Sequence, residues 1–121
     1  MPAMTSWIVP GHVLRISLIE NVTLHELNIM RREIQAALKS ASCVHYMIDL
    51  QKLQRLHDVE GLRYILGKSS SLRNRKIGRV AVLGATQEGQ LIFNSAATAL
   101  HLTLSCFDEE DGALMFLAEA D

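Results

Sequence analysis

Apolar segments of strand length alternate with segments of helical periodicity along the whole 121-residue chain. Two strand-like segments, residues 7–9 and 12–19, come first, and the turn dipeptide Pro10-Gly11 separates them. Three more strand segments follow, each with a helical segment after it: residues 44–50, 79–84 and 104–107. Such alternation builds a largely parallel sheet with right-handed crossovers, to which the leading pair adds an antiparallel edge. We therefore predict an α/β fold, with a mixed, mostly parallel sheet of about five strands and four helices.

The predicted helices have start signals in the sequence. Thr23-Leu24-His25-Glu26 is a capping box, and apolar residues at helical spacing continue to about residue 40. Asp58 is the expected cap of a second helix, a third is expected from Gln87 to Leu102, and Asp108 is the expected cap of the last. Ligand and partner sites in such sheets lie at the carboxyl ends of the strands. Those ends are Leu50-Gln51, Gly84-Ala85 and Phe107-Asp108.

Composition predicts one globular domain over residues 1–121. Apolar residues make up 49% of the chain and charged residues 21%, which is enough for one core without a metal or disulfides. Cys43 and Cys106 lie in apolar runs and are expected to be buried free thiols, as in a reducing cytoplasm. The N-terminus has no basic residue before its apolar stretch, so we expect no signal peptide. No apolar run approaches the roughly 20 residues that span a bilayer.

Charge is distributed unevenly along the chain. Residues 1–79 carry a formal charge of +6 and residues 80–121 a charge of −7. The basic residues between Lys68 and Arg79 have no interleaved aromatic side chain for base stacking, so we predict no nucleic-acid partner. A dipolar molecule could associate head to tail, which leaves a homodimer open. We favour the alternative that the two halves neutralise one another within the fold.

None of the candidate catalytic patterns is complete. Residues 84–89 resemble a phosphate-binding loop, but Gln90 and Leu91 stand where a lysine and a hydroxyl residue are needed, which leaves only weak anion binding at the helix start. The five histidines show no helical i, i+4 pair and no CxxC occurs, so we predict no metal or cofactor, and His45 is expected to be a hydrogen-bonded structural residue. The run Ser69-Ser70-Ser71 is expected at a helix end, and its modification stays open. We therefore predict that the chain is not an enzyme.

Two segments carry a resemblance to a known family. Asp49-Leu50, followed eight residues later by Asp58-Val59-Glu60-Gly61-Leu62, resembles the STAS domain of anti-sigma-factor antagonists, where a strand ends in Asp-Leu and an Asp-Ser-Ser-Gly-Leu turn opens a helix. The similarity extends to Val80-Ala81-Val82 and to residues 106–114. A variant of that fold, loosely related to lipid-transfer domains, also lacks the serine, and residues 113–117 match its last helix.

The resemblance implies a regulatory, protein-binding domain, and one departure changes what it can do. In the family, the first serine of the turn is phosphorylated by the partner kinase, and that position is Val59 here, with Glu60 beside it. Valine has no hydroxyl, so we expect no such switch. The partner surface that the resemblance implies comprises Asp49, Gln51, Asp58, Val59, Glu60, Gly61 and Leu62. The alternative function is a carrier or sensor of a small apolar, lipid-like ligand.

Overall fold

The computed structural model describes residues 3–37, 43–56 and 76–119. The described strands are β1 (Ala3–Val9), β2 (Val13–Leu18), β3 (Glu20–Val22), β4 (Cys43–Asp49), β5 (Leu53–Leu56), β6 (Lys76–Leu83) and β7 (Leu104–Phe107). The described helices are α1 (Leu24–Ala37), α2 (Gln87–Leu100) and α3 (Glu110–Ala118). The second predicted helix, expected from Asp58, falls on residues outside those described, so three of the four predicted helices are described.

Five of the seven described strands form the mixed sheet that the alternation predicts. Its order is β1-β2-β4-β6-β7, in which β1 pairs antiparallel with β2 and every other neighbour pair is parallel. The α/β class and the mostly parallel sheet are therefore confirmed. Because β2, β4, β6 and β7 run in the same direction, their carboxyl ends meet at one edge of the sheet, which we call the carboxyl edge.

Both faces of the sheet are covered, which explains why the central strands are almost continuously apolar. On the first face, Leu14, Ile16 and Leu18 alternate along β2 and pack with Met30 of α1 and Phe93 of α2. On the second face, Met47, Ala81 and Leu83 pack against Ala113 and Leu117 of α3. Side chains alternate between faces along a strand, so Arg15, His45 and Asp49 belong to the second face, with α3.

Two short strands were not expected from the sequence. β3 and β5 form a separate parallel pair, with Glu20 opposite Leu53 and Val22 opposite Leu56. β3 has three residues and β5 has four, so neither carries enough alternation to be recognised without its partner. This pair joins the chain entering α1 to the chain leaving β4.

Helix ends differ from the sequence predictions in two places. The threonine half of the capping box is confirmed, because the Glu26 amide donates to Thr23 Oγ1 over 3.3 Å, while Glu26 Oε1 accepts the Thr23 hydroxyl instead of a backbone amide. The predicted cap of the last helix is wrong: Glu109, not Asp108, is the N-cap, and its side chain makes no capping hydrogen bond. α2 ends at Leu100 rather than Leu102, because His101 takes a left-handed conformation with φ 57°.

Candidate functional site

The chain turns sharply where β4 reaches the carboxyl edge. The Leu50 amide donates to the Leu83 carbonyl of β6 over 2.8 Å, so the sheet ladder continues one residue beyond β4. The Leu53 amide then donates to the Leu50 carbonyl over 3.1 Å, which closes a turn whose central residues Gln51 and Lys52 are exposed. The turn therefore presents two polar side chains to solvent directly after the buried strand.

Asp49 is the buried carboxylate at this edge, with 8% of its surface exposed. Its Oδ1 accepts the Gln51 amide over 3.0 Å, which is the local hydrogen bond of an Asx turn. Its Oδ2 forms an ion pair with the guanidinium of Arg15 on β2. Both oxygens are occupied, so Asp49 fixes the shape of the turn.

Arg15 extends this ion pair to α3. Its second terminal nitrogen pairs with Glu110 Oε1 in the first turn of α3. The hydrogen bond with Asp49 is the main cause that raises the pKa of Arg15 above its ordinary value, so the guanidinium is charged throughout the pH range of the folded protein. The three charges form a network, Asp49–Arg15–Glu110, that connects β2, β4 and the start of α3.

Gly84 lets the end of β6 lie against the turn after β4. It has φ +79°, and a Cβ built on it would lie 2.9 Å from Gln51 Cγ and 3.2 Å from Gln51 Cα. Any side chain there would be strained in backbone conformation and would meet the turn. The Gly84 amide donates to the Phe107 carbonyl over 2.9 Å, so β7 reaches the same edge.

The loop of residues 84–89 is a helix cap. The Thr86 hydroxyl accepts the Gly89 amide over 3.1 Å, and Thr86 is the N-cap of α2. One of the amides that an anion would use is therefore already satisfied within the loop. Glu88, exposed in the first turn, adds a negative charge that opposes anion binding.

The predicted partner residues fall into two groups. Asp49 and Gln51 are joined by a hydrogen bond at the carboxyl edge, the first buried and the second exposed. Asp58, Val59, Glu60, Gly61 and Leu62 lie outside the described residues. Two members of the charge network, Arg15 and Glu110, were not expected. Arg15 had a detectable signal, since it is the one charged residue in an alternating strand of a sheet predicted to be covered on both faces.

The described residues form neither a metal-binding cluster nor a membrane-spanning helix. Within residues 3–37, 43–56 and 76–119, no three His, Cys, Asp or Glu side chains are placed to hold a metal ion. No helix in those ranges has the length and apolarity needed to cross a membrane. Cys106 is a free, half-buried thiol, and burial raises the pKa of that thiol, which lowers its reactivity at neutral pH.

Solved structures with the same architecture cover almost the whole chain. One is an uncharacterised protein of the DUF3478 family with a SpoIIAA-like fold from Shewanella loihica, with 16% identity, a TM-score of 0.71, and coverage of 95% of this chain and 91% of that chain. The unphosphorylated form of the anti-sigma factor antagonist SpoIIAA has 14% identity, a TM-score of 0.66, and coverage of 98% and 99%. An anti-sigma factor antagonist from Mycobacterium paratuberculosis has 15% identity, a TM-score of 0.62, and coverage of 97% and 93%.

These likenesses establish the fold. No protein-family model and no curated protein sequence matches the chain. The chain has the SpoIIAA-like fold, that of the STAS domain, so the resemblance carried by the short motifs of the sequence is confirmed at the level of architecture. Two of the three neighbours are anti-sigma factor antagonists by name.

Proposed function

We propose that this protein is a non-enzymatic regulatory domain that binds another protein through the segment from Gln51 to Leu62, which begins with the exposed turn at the carboxyl edge. The observation that carries the proposal is the exposed turn at Gln51, which is held in shape by the buried Asp49 in a fold shared with anti-sigma factor antagonists. Val59 has no hydroxyl, so the proposed interaction is not switched by phosphorylation at that position.

Asp49 and Gln51 have different tasks in this proposal. Asp49 is buried and its two oxygens are held by the Gln51 amide and by Arg15, so it supports the surface without contacting the partner. Gln51 projects from the same turn and is exposed, so it offers an amide side chain for hydrogen bonding. An exposed polar group beside a rigid, buried support is a favourable arrangement for recognition, because little conformational entropy is lost on binding.

The test is a comparison of three tagged proteins in a lysate of the source organism. The wild type is compared with the double variant Gln51→Arg/Glu60→Arg, which makes the proposed surface more positive, and with Ser95→Arg. Ser95 is exposed on α2, eight residues beyond its start, and therefore about 12 Å along that helix from the carboxyl edge. Quantitative mass spectrometry of the captured proteins is the measurement.

A partner retained by the wild type and by Ser95→Arg but lost from the double variant is the expected result. A partner that all three proteins capture equally would contradict the proposed surface. Circular dichroism of each variant checks that the fold is kept, and Gln51 and Ser95 are both exposed in the structure.

Two further parts of the proposal have separate tests. A cytoplasmic location agrees with the free thiol of Cys106, and fractionation of cells that express the tagged protein checks it. The apolar-ligand carrier stays a prediction of the sequence. Native mass spectrometry of the purified protein tests it, and bare protein alone in the spectrum would count against it.

A further inference from the structure

His45 lies at an irregularity between the two central strands. Val44 is opposite Ile77 and Tyr46 is opposite Val80, so the single residue His45 faces both Gly78 and Arg79 on β6. This is a β-bulge, and a bulge leaves one backbone amide of the longer strand without its ladder partner. Here the imidazole takes the place of that partner, because the Arg79 amide donates to His45 Nδ1 over 2.8 Å.

Gly78 makes room for this ring. A Cβ built on Gly78 would lie 2.0 Å from His45 Nδ1 and 2.3 Å from Cε1, well inside any real contact. The ring therefore occupies the volume that any other residue at position 78 would fill. The sequence predicts a hydrogen-bonded structural histidine at position 45, which is confirmed, whereas the role of the neighbouring Gly78 was not predicted.

The hydrogen bond requires the neutral ring. Nδ1 accepts a hydrogen bond from the Arg79 amide, so it carries no hydrogen of its own, and the ring proton is on Nε2. Protonation of Nδ1 would place an N–H group opposite the N–H of Arg79, and two donors cannot form a hydrogen bond. Burial is the main cause that lowers the pKa of His45 from its ordinary value of 6.5, and the positive charges of Arg79 and His12 lower it further.

Arg79 connects this hydrogen bond to the end of α3. Its Nη1 donates to the Phe116 carbonyl over 3.0 Å, and its guanidinium carbon lies 4.8 Å from the centre of the Phe116 ring. Nη1 also lies 3.6 Å from Glu119 Oε2, at the C-cap of α3. The backbone of Arg79 thus depends on His45, while its side chain holds the last turn of α3 on the sheet.

We propose that His45 is a proton-operated latch: when it is protonated, the Arg79 amide loses its acceptor and the C-terminal turn of α3 is released from the sheet. Arg79 of β6 and His12 of the turn before β2 are the described charged or titratable groups that act on the ring, and Glu119 acts through Arg79. At neutral pH the ring is neutral in both the closed and the released forms, so the latch is closed.

The lowered pKa of His45 determines how the stability of the closed form changes with pH. Well above pH 6.5 neither form binds the proton, so pH has no effect through this residue. Below 6.5 the released form binds a proton that the closed form excludes, so the closed form loses stability until the pH reaches the lower pKa of the closed form. Within that window the population of the released form rises by up to about tenfold for each pH unit.

The experiment is amide hydrogen exchange followed by NMR on the full chain between pH 7.5 and 5. Protection factors, which are corrected for the intrinsic pH dependence of exchange, are compared for the last turn of α3 and for its first turn. The wild type is expected to lose protection at residues 116–119 below pH 6.5, by up to about tenfold per pH unit. The variant His45→Asn is expected to lose none there, because the asparagine Oδ1 can accept near the position of Nδ1 and does not titrate.

The control is His101→Asn, which removes an exposed histidine at a left-handed position that asparagine tolerates. It should retain the acid response of the wild type. The latch is overturned if wild type and His45→Asn respond alike. A second measurement needs no variant: as the His45 ring titrates in the wild type, the Arg79 amide resonance must move with the same midpoint, and a stationary Arg79 amide would overturn the latch.

Discussion

The two ends of α3 are fixed to the sheet by two arginines in different ways. At the start of the helix, Arg15 pairs with the buried Asp49 and with Glu110. At the end, Arg79 donates to the Phe116 carbonyl and lies over the Phe116 ring, and its only carboxylate among the described residues, Glu119, is 68% exposed. The side chains of Arg15 and Arg79 are similarly exposed, at 28% and 31%. Their difference lies in the partners and not in the cation.

The two arginines differ in how much their partners need the positive charge. Asp49 is a carboxylate with little access to water, so its counter-charge must stay in place. Phe116 and its carbonyl are neutral, and they lose only a modest attraction without the arginine. Of the two arginines, Arg15 should therefore matter more for the global stability of the fold, and Arg79 for the local stability of one helix turn.

The largest effect is expected from Arg15→Met. It leaves the Asp49 carboxylate buried beside an apolar side chain, which should lower the free energy of unfolding by about 2–3 kcal/mol. Urea denaturation at pH 7 measures it. The double variant Arg15→Met/Asp49→Asn removes the stranded charge and should recover most of the loss. An equal loss in both variants would mean that the packing of the arginine stem, and not the charge, is what matters.

Gly78→Ala should have the next largest effect, and it acts on the other arginine through the backbone. The added methyl group must displace the His45 ring, so the cost is about 2 kcal/mol from overpacking and from the lost Arg79 amide hydrogen bond. Thermal or urea unfolding measures it. The matched control is Gly112→Ala in α3, where the nearest contact of the new Cβ is Phe107 Cδ1 at 3.2 Å, much farther than the 2.0 Å contact at Gly78.

The features of this fold whose causes are local were predictable from the sequence. The turn at Pro10-Gly11, the helix start at Thr23 and the strand predicted over residues 12–19 each depend on neighbouring residues, and each is present in the structure. The β3–β5 pair and the charge network depend on residues that are far apart in the chain, and Arg15 and Glu110 are 95 residues apart. Arg15 stands out as the one charged residue of its strand, but nothing local identifies Asp49 or Glu110 as its partners, and the short strands β3 and β5 carry no pattern that pairs them. The partner surface as a whole, including Asp49 and Gln51, stays a prediction.

Arg79→Met should have a smaller and more local effect, which sharpens the comparison. It removes the cation over the Phe116 ring and the hydrogen bond to its carbonyl, for a cost of about 1 kcal/mol. Hydrogen exchange should show faster exchange in residues 116–119 and little change in residues 110–113. A uniform change across α3 would show that the helix opens as one unit and that its two ends are not independently held.

The smallest effects are expected from the exposed acids. Glu110→Gln and Glu119→Gln each remove one charge from a pair whose acid is 45% or 68% exposed. Each should lower the free energy of unfolding by no more than about 0.5 kcal/mol, and the effect should shrink further in 1 M salt. Urea denaturation at two salt concentrations measures it. If Glu110→Gln approached the cost of Arg15→Met, the network would have to act as a unit and not through Asp49 alone.

The polar contacts on either side of β4 also select the strand register. Parallel strands rich in Val, Ile and Leu can slide past one another by two residues and still present apolar side chains to the same faces. Arg15 is the one charged residue of β2, Asp49 the one carboxylate of β4, and Gly78 the one glycine of β6. A two-residue slide on one side would strand Asp49 without Arg15, and on the other would press the His45 ring against a side chain. The few polar residues in this apolar sheet thus specify one alignment among several that hydrophobic burial alone would accept.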